Sequence, residues 1–186
     1  MKLLTLIGLL AGLTASIYAQ GEIALANIDN TSTNPSATAN GLFWLSTGGT
    51  PALINQDFNA AFYASTDSSS LTLLATFLLS NGTATGDNAG GPGKFADPAG
   101  KTYPFQSISS VFVQIQAWTG NFDSYAAALA GGAPAAQSAM FLNPVDVPPG
   151  PARTLTGMPA MVLAIPEPST FALGGLCVLL LCRRRK

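Results

Sequence analysis

From Ser110 to Thr119 apolar and polar side chains alternate. Val111, Val113, Ile115 and Ala117 fall on one side, Gln114 and Gln116 on the other. A period of two is the repeat of a strand with one buried face, and no helix can satisfy it. The chain must therefore build a sheet. Phe58 to Ser65 repeats the pattern, with Phe58, Ala60, Phe62 and Ala64 against Asn59, Ala61, Tyr63 and Ser65. Leu71 to Leu79 places Leu71, Leu73, Ala75, Phe77 and Leu79 on one face, with Thr72 and Thr76 opposite. Glu22–Ile28 and Gly41–Ser46 are further apolar runs, and Ser138–Leu142 and Pro159–Ile165 are weaker candidates. Thr47-Gly48-Gly49, Asp67-Ser68-Ser69 and Asn81-Gly82 punctuate them as turns. About six to eight short strands at such spacing predict an all-β, sandwich-like domain. One short helix is expected, capped by Asp123, running through Ser124–Ala130 and ended by Gly131. The Gly-, Asp- and Pro-rich stretch Gly82–Lys101 predicts an exposed loop.

The ends of the chain differ from this middle. Met1-Lys2, the apolar run Leu3–Leu13 and Ile17-Tyr18-Ala19 supply the charge, the short apolar core and the small residue of a secretory signal peptide. Cleavage is expected between Ala19 and Gln20, giving a signal peptide over 1–19. The alternative, a buried N-terminal helix, is disfavoured by Gly8 and Gly12. At the other end, Pro166-Glu167-Pro168 precedes an apolar segment and the basic run Arg183-Arg184-Arg185-Lys186. The prolines delay a helix until Ser169 or Thr170 can cap it. Phe171–Cys182 as a helix covers about 18 Å, so a transmembrane helix over about 169–182 relies on snorkelling arginines or local thinning of the bilayer. The basic end at 183–186 should remain cytoplasmic, which places 20–165 outside the membrane. Cys177 and Cys182 both lie in this segment, read there as apolar filler, and 20–165 has no cysteine to staple.

The order of these three parts resembles the PEP-CTERM sorting signal of bacterial surface and exported proteins. Its marks here are Pro166, Glu167 and Pro168, the apolar stretch from Phe171 to Leu181, and the terminal Arg183–Lys186. The resemblance implies a substrate of exosortase, a membrane-embedded transpeptidase-like enzyme thought to cut near the motif. The alternative is a plain tail anchor that is never cut. A second resemblance, to exported PEP-CTERM proteins of the verrucomicrobial type, rests on Val113-Gln114-Ile115-Gln116-Ala117-Trp118 followed by Ser124-Tyr125-Ala126-Ala127-Ala128, and on Ala61-Phe62-Tyr63-Ala64 with Ser69-Ser70-Leu71 after it. It implies an all-β exported domain and no particular activity.

Chemistry is scarce in the middle. There is no His, hence no usual general base and no commonest metal ligand. Residues 20–165 carry three basic side chains, Lys94, Lys101 and Arg153, against eight acidic ones, a net charge of −5. That balance gives no electrostatic case for nucleic acid. Lys94 and Lys101 lack Ser-x-x-Lys spacing, and the acidic residues stand singly, with no recognisable pair for glycoside hydrolysis. Asp57 and Asp123, each beside a Phe, come nearest to cleft residues, and turn or cap roles are the simpler reading. Asp87-Asn88 and Asp97 could at most hold a weak Ca²⁺, and Gly90–Lys94 lacks the spacing of a phosphate loop. Asn30-Thr31-Ser32 and Asn81-Gly82-Thr83 match the Asn-x-Ser/Thr acceptor. Trp44, Trp118, Tyr63 and Tyr125 can stack on a sugar ring, or fill a core.

The expectation is an exported, non-enzymatic surface or matrix protein of three parts, 1–19, 20–165 and 166–186, with no catalytic residue, metal or cofactor. Its expected partners are exosortase and the membrane through the C-terminal helix, with extracellular polysaccharide as a further candidate and no nucleic acid. The alternative is a carbohydrate-binding or carbohydrate-active envelope module.

Overall fold

The structure, a computed structural model, describes residues 20–79, 91–106 and 109–165. The expected signal peptide and its Ala19–Gln20 junction reach the described residues only at Gln20. The sorting tail, with Pro166–Pro168, Phe171, Leu181 and Arg183–Lys186, lies outside them, as do Asn81 and Asp87.

The described chain is all-β apart from one short helix. Its elements are β1 (Gly21–Ala24), β2 (Phe43–Ser46), β3 (Ala52–Leu53), β4 (Phe58–Ser65), β5 (Thr72–Leu79), β6 (Thr102–Phe105), β7 (Ser110–Trp118), α1 (Tyr125–Ala130), β8 (Ala135–Gln137), β9 (Phe141–Pro144) and β10 (Met161–Ala164). Eight strands form one sheet in the order β3-β2-β10-β8-β7-β4-β5, with β9 also on β7, and β1 and β6 form a two-stranded sheet. Within the large sheet only β2 and β10 run parallel.

The alternating segments behave as their pattern dictates. Val111, Val113, Ile115 and Ala117 are fully buried, and β4 turns Phe58, Ala60, Phe62 and Ala64 onto the same side. Ile23 and Leu25, with the half-buried Tyr103 and Phe105, bring β1 and β6 onto that core. Four rings form its centre. Phe43 lies 4.8 Å from Phe58 and 5.5 Å from Phe95 by centroid, and Phe62 lies 5.1 Å from Phe95. Tilted and edge-on contacts at these distances are the favoured aromatic geometries.

Phe95 corrects one expectation. The stretch Gly82–Lys101 was expected at the surface, yet Gly93, Phe95 and Asp97 are buried. The ring of Phe95 plugs the core, and Asn27 makes its backbone tolerable there. The Asn27 side chain accepts from the Phe95 N–H at 2.6 Å and donates to the Gly93 carbonyl at 3.1 Å, so the buried polar groups are paired.

Strand β5 corrects another. Its register against β4 shifts between Phe62 and Tyr63, where Ala75 opposes Phe62 but Leu73 opposes Tyr63. Leu74 is the extra residue of a bulge, and Leu74 and Ala75 both pack on the core. Leu73 is thereby turned outward and is 51% exposed. The single apolar face read over Leu71–Leu79 is broken at that point.

Smaller corrections have local causes. Ser138–Leu142 is not one strand, because β8 and β9 pair with opposite halves of the same edge of β7. Ser138 bridges the gap, its N–H donating to the Ile115 carbonyl at 2.9 Å while its hydroxyl accepts from the Ile115 N–H at 3.0 Å. The helix cap is Ser124, not Asp123. Ser124 is extended, and its Oγ accepts from the Ala127 N–H at 3.2 Å. The Asp67-Ser68-Ser69 turn is as expected. The Ser69 N–H and hydroxyl both reach the Asp67 carboxylate at 2.9 Å and hold it below its usual range.

Candidate functional site

The outer face of the β5-β4-β7 ribbon carries an aromatic hollow. Cross-strand pairing sets its rows. Thr76, Ala61 and Gln116 stand abreast, with Leu73 and Tyr63 one row along and Asn59 and Trp118 one row the other way. Ala61 is the small residue in the middle row, so the surface dips there between Tyr63 and Trp118. Asp123, the cap Ser124 and the first residues of α1, Tyr125 and Ala126, close one side of a hollow of about 340 Å³.

The local sequence explains why the helix sits there. Ala128 is fully buried against Trp118 and Ala61. The Trp118 indole Nε1 donates to the Phe122 carbonyl at 2.8 Å, which fixes the loop leading into the cap. Gly131 ends the helix under the Phe122 ring, where an added Cβ would lie 2.5 Å from Phe122 Cε1. Any larger residue there would push the Phe122 ring aside.

The aromatic roles divide by exposure. Trp118 is 2% exposed and is the floor of the hollow. Tyr63 and Tyr125 are half-buried and line it. The Tyr63 hydroxyl donates to Gln116 Oε1 at 3.4 Å, and Gln116 Nε2 donates to Gln137 Oε1 at 3.1 Å. Asp123 is exposed at the rim and makes no hydrogen bond or ion pair with another described residue. The hollow thus offers ring faces, an oriented amide, hydroxyls and one free carboxylate, with no cationic side chain among its lining residues.

Three of the four aromatics read from the sequence as possible sugar platforms therefore meet. Trp44 does not join them. It stands on β2, 7% exposed, with its Nε1 buried and unpartnered. Asp123 lines this hollow and Asp57 does not.

A second hollow, of about 410 Å³, was not legible in the sequence. Asp29, Asp146, Arg153, Thr154 and Thr156 line it. The pair of carboxylates comes from distant segments, brought together because Ile23 bridges to Arg153 and Glu22 to Asp146. Both are engaged. Thr154 donates to Asp29 Oδ2 at 2.8 Å, and Arg153 lies 3.6 Å from Asp146 in a half-exposed ion pair.

The remaining candidates have structural places. Asp97 accepts from the Ala99 N–H at 2.7 Å and from the Tyr103 hydroxyl at 3.2 Å. Lys94 donates to the Ile28 carbonyl at 2.8 Å. Among the described residues no group of three or more His, Cys, Asp or Glu could hold a metal ion. Asn30 is fully buried and donates to the carbonyls of Gly41 and Leu155 at 2.8 and 3.2 Å. Its amide is closed to modification in the folded protein, which removes the Asn30-Thr31-Ser32 acceptor. Among the described residues no helix is long and apolar enough to cross a membrane, and the expected 169–182 helix lies outside them.

Comparison with protein families matches residues 164–186 to the PEP-CTERM protein-sorting motif. No curated protein and no solved structure matches the chain. The sorting motif read from Pro166–Pro168, the apolar stretch and the basic run is thus present, and it marks an exported protein sorted to the cell envelope through exosortase. The match begins at Ala164, the last residue of β10.

Proposed function

We propose that this chain is a non-enzymatic surface or matrix protein whose β-domain is delivered by its tail. The precursor is held by a C-terminal helix over about 169–182, with Arg183–Lys186 in the cytoplasm. Exosortase then cuts near Pro166-Glu167-Pro168, and the domain passes to the envelope or the extracellular matrix. The observation that carries this reading is the sorting motif at 164–186.

The junction supports it. β10 lies between β2 and β8 in the large sheet, so the fold needs the chain through Ala164. Only Ile165 separates that strand from Pro166, and Ile165 is 48% exposed. A cut at or beyond the motif leaves every described strand in place. The non-enzymatic part rests on the side chains. The domain has no His, and both carboxylates of the Asp29–Asp146 hollow are tied to a hydroxyl or a guanidinium.

Expression in cells with and without an exosortase tests the delivery step. The reading expects the protein to stay with the membrane fraction when the enzyme is missing and to leave it when the enzyme is present. Identical fractionation in both would contradict it.

A further inference from the structure

We propose that the hollow between Tyr63, Trp118 and Tyr125 is a binding subsite for an uncharged hexopyranose unit of a polysaccharide. The proposal rests on the reading of an envelope-sorted protein only for where the ligand is met. The site itself is argued from its side chains.

A sugar ring has an apolar C–H face and a girdle of hydroxyls. A complementary site offers aromatic planes to the first and oriented polar groups to the second. Tyr63 on β4 and Tyr125 at the start of α1 both line the dip at Ala61 and supply the planes. Trp118 is oriented by its hydrogen bond to Phe122 and forms the floor. Gln116 is fixed between Tyr63 and Gln137, with its amide still able to make further bonds. Asp123 is an unengaged acceptor at the rim, able to take two sugar hydroxyls. The volume of about 340 Å³ is at the small end of ligand pockets, suited to a ring rather than a folded chain.

Charge selects the class of sugar. The rim carboxylate has no cation beside it in the lining, and residues 20–165 are net negative. Uronic or sulfated sugars would be repelled and would find no guanidinium to pair with. Neutral hexoses meet neither obstacle.

The test uses the full chain in mild detergent, titrated with laminarin, dextran and galactomannan as neutral probes and alginate as the anionic one. Tryptophan fluorescence and retardation in polysaccharide-containing native gels report binding. At least one neutral polysaccharide should bind and alginate should not. Tyr125→Ala should weaken that binding about tenfold, as loss of a stacked ring does, while Tyr125→Phe should retain it. Ala126→Arg, an exposed position on the rim, should block the hollow without touching the core. Asp29→Asn, in the other hollow, should leave affinity unchanged. The proposal is overturned if no neutral polysaccharide binds, if alginate binds as tightly, or if Tyr125→Ala and Ala126→Arg both leave affinity unaltered. Binding is read with the tail present, so failure here leaves the delivery reading standing, and failure of processing leaves this site standing.

Discussion

The indole of Trp118, at the end of the central strand β7, donates its Nε1 proton to the carbonyl of Phe122 at 2.8 Å. One bond couples the sheet to the loop that starts the helix. The same side chain floors the aromatic hollow, so the stability of this corner and the shape of the site have one cause.

Trp118→Phe tests that coupling. The substitution removes the donor of a part-buried hydrogen bond, a loss of about 0.5–1.5 kcal/mol. Urea denaturation should show a fall in that range with an unchanged slope. A variant as stable as the parent would show that the loop is held by other contacts.

The bulge in β5 separates two adjacent leucines. Leu74 packs on the core and Leu73 faces outward beside Tyr63. Leu74→Ala should cost more than Leu73→Ala, the latter staying within about 0.5 kcal/mol. Phe95→Ala, removing a fully buried ring from the centre of the core, should cost about 3–5 kcal/mol. Thermal or urea unfolding of the three variants checks the order. Equal effects at Leu73 and Leu74 would contradict the register.

The boundary between domain and tail makes a sharper claim. A chain ended after Ile165 keeps β10 and should give a cooperative unfolding transition. A chain ended after Pro159 lacks β10, which separates β2 from β8, and should lose that transition. Circular dichroism during heating distinguishes them. Cooperative unfolding of the shorter chain would show that the sheet closes without β10.

Tyr103 gives the fold a dependence on alkaline pH. Burial foremost, then the charge of Asp97 and the hydrogen bond to it, push the phenol up to about 12 from its ordinary 10.0. The folded state therefore holds this proton more tightly than the unfolded chain does. Its contribution is complete below pH 10 and is lost as pH rises toward 12. Unfolding free energy measured across that window should fall with a slope that Tyr103→Phe removes. An unchanged slope in the variant would assign the loss to other groups.

What the sequence made legible follows from what period-two patterning can express. Phe58–Ser65 and Ser110–Trp118 have regular alternation and long pairing partners, and both strands form as read. The bulge at Leu74 was not legible, because an extra residue leaves no mark in an unbroken apolar run. β3 has two residues and β6 contains Pro104, so neither carries a strand signal. Phe95 sits among glycines and prolines that point to the surface, and its burial depends on Asn27, distant in sequence. The aromatic residues of the hollow were visible singly. Their meeting depends on the strand order β7-β4-β5 and on the small Ala61 between them, which no local pattern states.

The central claim is that the tail delivers the domain and is then removed. Mass spectrometry of the exported protein's C-terminus tests it most directly. The account expects a product that retains Ala164, with β10 complete, and lacks Arg183–Lys186. An exported product that still carries Arg183–Lys186 would contradict it.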